Sequence, residues 1–169
     1  MKSRFRLWWA ALVIILAWAG SAHAQQPSAP APGRNLPQMK FTTLPRLSTC
    51  TTGTVLSGDP AKSSSIMLIK SLPGCTVPWH WHSPSEHLMV VSGSAEVAMK
   101  DGKPFTLRAG GYAMMPAHHI HRFRSITAST IYLYSEAPFD LHYVNAEGKE
   151  IAPVEALKPD KETPATEMK

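Results

Sequence analysis

Hydrophobic and polar positions alternate along residues 52 to 145 in short runs: TGTVL, SIMLIKSL, TVPWHWH, EHLMVVSG, SAEVAMK, PFTLRAG, YAMMP, HIHRF, ASTIYLYSE and FDLHYVN. The runs are rich in Val, Ile, Met, Tyr and Phe, and Gly, Pro, Asp and Ser separate them. Ten such pieces at near-regular spacing predict an all-β domain, packed as a barrel or a sandwich. No run of helical period long enough to matter lies between them. Ser92-Gly93-Ser94 reads as a hairpin turn joining EHLMVV to AEVAMK, and Asp101-Gly102 as the next reversal.

The ends of the chain have a different texture. Lys2, Arg4 and Arg6 precede an apolar run from Leu7 to Ala19, and the small-residue pattern Ala22-His23-Ala24 follows. This is the layout of a secretory signal peptide over residues 1–24, cleaved after Ala24. Thirteen apolar residues are few against the roughly 20 that span a bilayer, so no stable membrane association is expected after cleavage. The arginines are not adjacent, which points to export in the unfolded state rather than by the twin-arginine route. Residues 25–39, beginning QQPSAPAPGR, have the Pro, Ala and Gln content of a flexible linker. Residues 152–169 mix charge with three prolines and read as a disordered tail. Residues 40–151 are left as the folded domain.

Export changes what charge and cysteine content imply. Removing 24 residues from 169 leaves 145, enough for one domain with a sizeable core. Three of the 17 Lys and Arg and none of the 12 acids lie in the leader, so the mature balance is 14 against 12, or +2. That gives no case for a nucleic-acid partner. The only cysteines, Cys50 and Cys75, both remain after cleavage, and an oxidising periplasmic or extracellular compartment favours their pairing. Two buried thiols is the alternative. Cys75 as a metal ligand is disfavoured, because its odd offset from His80 puts it on the opposite strand face.

The candidate chemistry lies in GCTVPWHWHSPSEHLMVVSG, residues 74 to 93. Side chains two apart on a strand share a face, so His80 and His82 point one way and Trp79 and Trp81 the other. Ser83-Pro84-Ser85 interrupts the strand, and Glu86 returns at an even offset from both histidines. Metal binding needs several nitrogen or oxygen donors converging at about 2 Å. A further donor has to come from a second cluster, Pro116-Ala117-His118-His119-Ile120-His121.

These residues resemble the cupin superfamily, in particular its small exported single-domain bacterial members. Gly74, His80-Trp81-His82, Glu86 and Gly93 match the first cupin motif at every defined position, and Gly110, Pro116 and His121 look like the second. The resemblance implies a cupin jelly-roll β-barrel in which His80, His82, Glu86 and His121 bind one divalent metal ion: Fe, Mn, Zn, Ni or Cu. Two positions depart from the pattern. His118 stands where the second motif has glycine and Ser125 where it has asparagine, and neither removes a ligand. His118 adds an imidazole that can act as a base near neutral pH.

Other residues support less. His87, His119 and His142 read as solvated, Met114 and Met115 as adaptable packing, and Leu88, Val90 and Phe123 as pocket walls or plain core. Trp79 and Trp81, facing away from the ligands, would form an exposed apolar patch on a monomer, which argues for a homodimer. The resulting expectation is an exported metal-binding cupin acting as an oxygenase-type enzyme, a metal-dependent dioxygenase among the possibilities. Its substrate would be a small organic molecule, with Glu86 and His118 in the catalytic roles. A non-catalytic module binding metal or a small ligand is the alternative, and a metal-independent isomerase fits an intact ligand set poorly.

Overall fold

A computed structural model describes residues 33–158. The signal peptide and most of the linker expected ahead of the domain, and the tail beyond residue 158, lie outside the described residues. Residues on either flank of the domain carry short ordered turns. A 3-10 turn spans Leu36–Gln38, and a four-residue helix, α1 (Pro153–Ala156), opens the stretch expected to be a disordered tail.

Between them run β1 (Thr42–Thr43), β2 (Thr51–Gly58), β3 (Ser65–Ser71), β4 (Thr76–Trp81), β5 (Glu86–Ser92) and β6 (Ser94–Met99). After these come β7 (Phe105–Arg108), β8 (Tyr112–Met115), β9 (His121–Ser125), β10 (Ser129–Ser135) and β11 (His142–Tyr143). Each of the ten apolar runs supplies a strand, and the all-β expectation holds. The two-residue β1, made of threonines, has no apolar signal of its own.

The strands form two sheets, ordered β1-β2-β3-β10-β5-β8 and β11-β4-β9-β6-β7, with antiparallel pairing throughout. Their apolar inner faces meet in a core that includes Met67, Ile69, Leu88, Val90, Val97, Met115, Ile131 and Leu133. This is the jelly-roll arrangement, in which consecutive strands often belong to opposite sheets.

That alternation corrects the expected hairpin at Ser92-Gly93-Ser94. β5 pairs with β10 and β8, whereas β6 pairs with β9 and β7, so the turn is a corner where the chain changes sheets. Gly93 has a φ of 79°, and a Cβ there would lie 2.2 Å from the carbonyl oxygen of Ala128. Only glycine lets the two chain segments approach so closely. The reversal at Asp101-Gly102 does join hairpin partners, β6 and β7.

A bulge in β4 matters for the site. Val77 pairs with Phe123 and His80 with His121, so Pro78 and Trp79 together stand opposite Arg122. The extra residue shifts the inward parity by one. Val77 therefore lines the same cavity as His80, despite its odd offset. The parity argument that set Cys75 apart from the ligands fails for the same reason, and what removes it from ligation is its disulfide to Cys50.

The tryptophans do not form an exposed patch. Trp81 stacks on His142 at 3.9 Å between ring centroids, and the Arg122 guanidinium lies 5.1 Å from the Trp79 ring, leaving both half-buried. Several exposed apolar side chains lie instead on the outer face of the six-stranded sheet. Ile66 and Tyr132 stand there beside Met89, Tyr112 and Met114.

The disulfide ties the start of β2 to the start of β4 across 25 residues of sequence. Closing such a loop is worth about 3 kcal/mol of unfolded-chain entropy. Cys50→Ser is expected to lower the unfolding free energy by about that amount, read from urea denaturation followed by tryptophan fluorescence. An unchanged midpoint would show that the bridge contributes nothing.

Candidate metal centre

Two sheets contribute to one buried cluster. His80 comes from β4, His121 from the first position of β9, and His82 from the residue just beyond β4. Glu86 is the first residue of the opposite sheet's β5. All four are at most 5 % exposed. His80 and His121 are direct cross-strand partners, and Ser83–Ser85 turns the chain so that Glu86 enters from the other side. One ligand atom from each residue can be chosen so that all lie within 4.8 Å of one another.

The imidazoles are aimed by the backbone. His80 Nδ1 lies 2.6 Å from the Pro78 carbonyl, which the β4 bulge frees from the ladder, and His121 Nδ1 lies 2.8 Å from the His119 carbonyl. His82 Nδ1 takes the Asp140 carbonyl as its partner. With each Nδ1–H donated to a carbonyl, the three Nε2 atoms carry lone pairs and face inward. Backbone acceptors commonly fix the tautomer of metal-binding histidines in this way.

Glu86 supplies the negative charge. Its Oε2 lies 3.2 Å from His121 Nε2 and 3.4 Å from His82 Nε2. Burial opposes its ionisation, yet the adjacent His82 and His121 hold it well below the usual carboxylate range. Burial, reinforced by His121 and His82, holds His80 well below its ordinary value. Burial would do the same to His82, but the Glu86 carboxylate outweighs it and raises that imidazole. Without a cation, the cluster therefore retains a proton beside Glu86.

The donor set fits a divalent metal. His82 Nε2 is buried without an aligned hydrogen bond, with Glu86 Oε2 3.4 Å away. Three imidazoles and one carboxylate suit borderline first-row ions, and four protein ligands leave a position free in a five- or six-coordinate complex. The cluster could thus bind a metal through His80, His82, Glu86 and His121.

The space beside the ligands is apolar. A cavity of ≈ 70 Å³ runs from the four residues along walls that include Leu44, Ile69, Val77, Leu88, Phe123 and Leu133. Leu88 and Phe123 were expected on sequence grounds, whereas Val90 packs in the core and does not line the cavity. Sequence reasoning missed Leu44, Leu47, Phe139 and Leu141, which close its outer end. Phe139 stacks on His82 at 4.3 Å. The apolar runs around FDLHYVN were the only hint of this.

His118 is not brought to the cavity. It is exposed, its ring packs against Trp81 on the outer side at 5.0 Å, and its backbone N–H donates to the His82 carbonyl. Its φ of 60° explains the motif position, because the turn calls for the left-handed conformation that glycine adopts readily. Ser125 is buried and bonds Ser129 in place of the usual asparagine. His87 bonds Tyr112 and Glu136 at the surface, and His142 lies between Asp140 and Glu150.

Comparison with solved structures places the barrel among cupins. An RmlC-like cupin from Shewanella frigidimarina aligns with a TM-score of 0.54 and 20 % identity, over 62 % of this chain and 88 % of that one. KdgF from a Halomonas species aligns at 0.51 and 18 %, over 60 % and 92 %. The DMSP lyase DddQ from Ruegeria pomeroyi aligns at 0.51 and 18 %, over 67 % and 60 %. At these identities the likeness is one of fold. No curated protein sequence matches the chain. The family model described as "Cupin domain" matches residues 67–135, which hold all four clustered donors, and the fold around them is a cupin jelly roll.

Proposed function

We propose that this protein is an exported, metal-dependent cupin enzyme of oxygenase type, acting on a small, largely apolar organic molecule that presents oxygen donors to the metal. The observation that carries this reading is the aiming of three Nε2 atoms and Glu86 into one largely apolar cavity, with His82 Nε2 left without an aligned hydrogen bond. His80, His82, Glu86 and His121 would hold the ion. A bound redox-active ion would supply dioxygen activation or polarisation of a chelating substrate. The chain itself excludes water through Leu44, Phe123, Leu133 and Phe139, and Glu86 offers the only carboxylate on the cavity wall. His118, turned outward against Trp81, has no part in this reading. Export is supported by the leader-like N-terminus and by the Cys50–Cys75 bridge, a bond suited to an oxidising compartment.

Metal loading is the first test. The purified mature protein is expected to hold close to one divalent ion per chain by elemental analysis, and His82→Ala or His121→Ala to weaken binding more than about 100-fold. Because Glu86 raises the His82 imidazole, the metal must displace that proton. Affinity should therefore rise with pH, by about tenfold per unit while His82 is protonated. Full metal content in both variants would refute the ligand set.

Turnover is the second. Protein loaded separately with Fe(II), Mn(II), Ni(II), Cu(II) or Zn(II) is screened for oxygen uptake with enols, catechols and thiols. Uptake with one redox metal, lost in Glu86→Ala, is the expected outcome. Tight binding without turnover under every metal would instead establish a binding module.

A dimer is proposed here through a different surface from the tryptophans on which it was expected. The apolar stripe of Ile66, Met89, Tyr112, Met114 and Tyr132 on the outer face of the six-stranded sheet is proposed as the contact between two copies. Sedimentation should give a dimer that Met89→Glu with Tyr132→Glu converts to monomer. A wild-type monomer at high micromolar concentration would remove the proposal.

A further inference from the structure

A second cavity of ≈ 350 Å³ adjoins the ligand-bearing one, and the two share Leu44, Leu47, Met67, Phe139 and Leu141 in their linings. The second lining adds two charged residues, Arg46 and Asp140. Their situations differ. The Asp140 carboxylate accepts the Ser83 N–H at 2.7 Å and lies 3.1 Å from His142 Nε2, an imidazole it shares with Glu150. The Arg46 guanidinium makes one hydrogen bond, from Nη1 to the Leu141 carbonyl at 3.1 Å, and among the described residues no carboxylate pairs with it. Arg46 is thus an exposed charge without a carboxylate partner on the lining of the second cavity.

Arg46 is also held in an unusual backbone state. Its φ is 64°, a left-handed conformation that a side chain beyond Cβ disfavours. Two long-range contacts impose it: the buried Tyr143 hydroxyl donates to the Arg46 carbonyl at 2.7 Å, and Leu141 accepts from the guanidinium. The same short segment serves the metal centre. The Asp140 carbonyl fixes His82, and Tyr143 pairs with His80 in the sheet. Residues 140–143 thus position the arginine and two of the four donors together.

We infer that Arg46 is an anion anchor, and that the natural ligand is a small monocarboxylate with an apolar body. Its carboxylate would meet the guanidinium in the second cavity while its opposite end reaches toward the donor cluster. The inference rests on the reading of this cavity as a substrate site and narrows its substrate class. A guanidinium with free donors pairs with a carboxylate in two parallel hydrogen bonds, and at the edge of an apolar cavity that pairing is stronger than in open water.

Isothermal titration of the purified mature protein with benzoate and with its neutral analogue benzamide tests this, alongside elemental analysis of the same sample. Wild type is expected to prefer benzoate about tenfold or more. Arg46→Gln should abolish the preference while leaving metal content unchanged, and Arg46→Lys should restore part of it. The reading is overturned if Arg46→Gln keeps the preference, or if wild type shows none. The two levels separate cleanly. An Arg46-dependent preference in protein that holds no metal upholds the anchor and sinks the metal enzyme, and one ion per chain with an Arg46-independent preference does the reverse.

Discussion

Everything around the site answers to one constraint: a carboxylate, Glu86, sits 5 % exposed between two sheets of hydrophobic residues. A lone ion there would be far too costly to keep, and proteins normally neutralise or pair it. Here the compensation comes from imidazoles that only become suitable partners when their rings are turned correctly. Three backbone carbonyls, at Pro78, His119 and Asp140, do the turning. Each carbonyl has to be free of the sheet ladder, which explains why the donors stand at a bulge and at strand ends rather than in the middle of regular strands. A dication placed among the Nε2 atoms would satisfy the carboxylate and the His82 nitrogen at once. The metal-free cluster can meet the same demand only by holding a proton.

The strands and the donor spacing were legible because both are local. Alternation of apolar and polar residues follows from the pleat, and His80, His82 and Glu86 lie within seven positions of one another. His121 needed the family resemblance, since nothing local says which of the three nearby histidines, His118, His119 and His121, faces inward. Parity misled wherever the chain was irregular. The Pro78–Trp79 bulge moves Val77 to the inner side, and Gly93 turns an expected hairpin into a passage between sheets. His118 looked chemical by residue type, but its role is a turn whose φ the sequence could not display. The tryptophans looked exposed because their covers, His142 and Arg122, come from other strands.

The mouth of the cavity was illegible for a further reason. Leu44, Arg46 and Leu47 precede the first long strand in a segment without alternation, and Arg46 is held by contacts about a hundred residues away in sequence. Arg46 and Tyr143, which meet by a hydrogen bond, are 97 positions apart. Such contacts leave no periodic trace.

A division of labour follows from where these residues fall. The four donors lie inside the matched span of 67–135, whereas Arg46, Phe139, Asp140 and Leu141 lie outside it. The barrel of the matched span can therefore hold the ligand set while the flanking segments shape what is admitted to it. Fold and donor set together define a class of possible chemistry, not a substrate. In this chain the discriminating physics is the contrast in the second cavity: a largely apolar wall interrupted by the Asp140 carboxylate and by the Arg46 guanidinium, which is tethered through Leu141 to the segment that also holds His82. A ligand that satisfies only the wall gains burial but leaves the charge unpaired. One that satisfies both is oriented end to end along the passage, and that orientation is what a metal at the inner end would need.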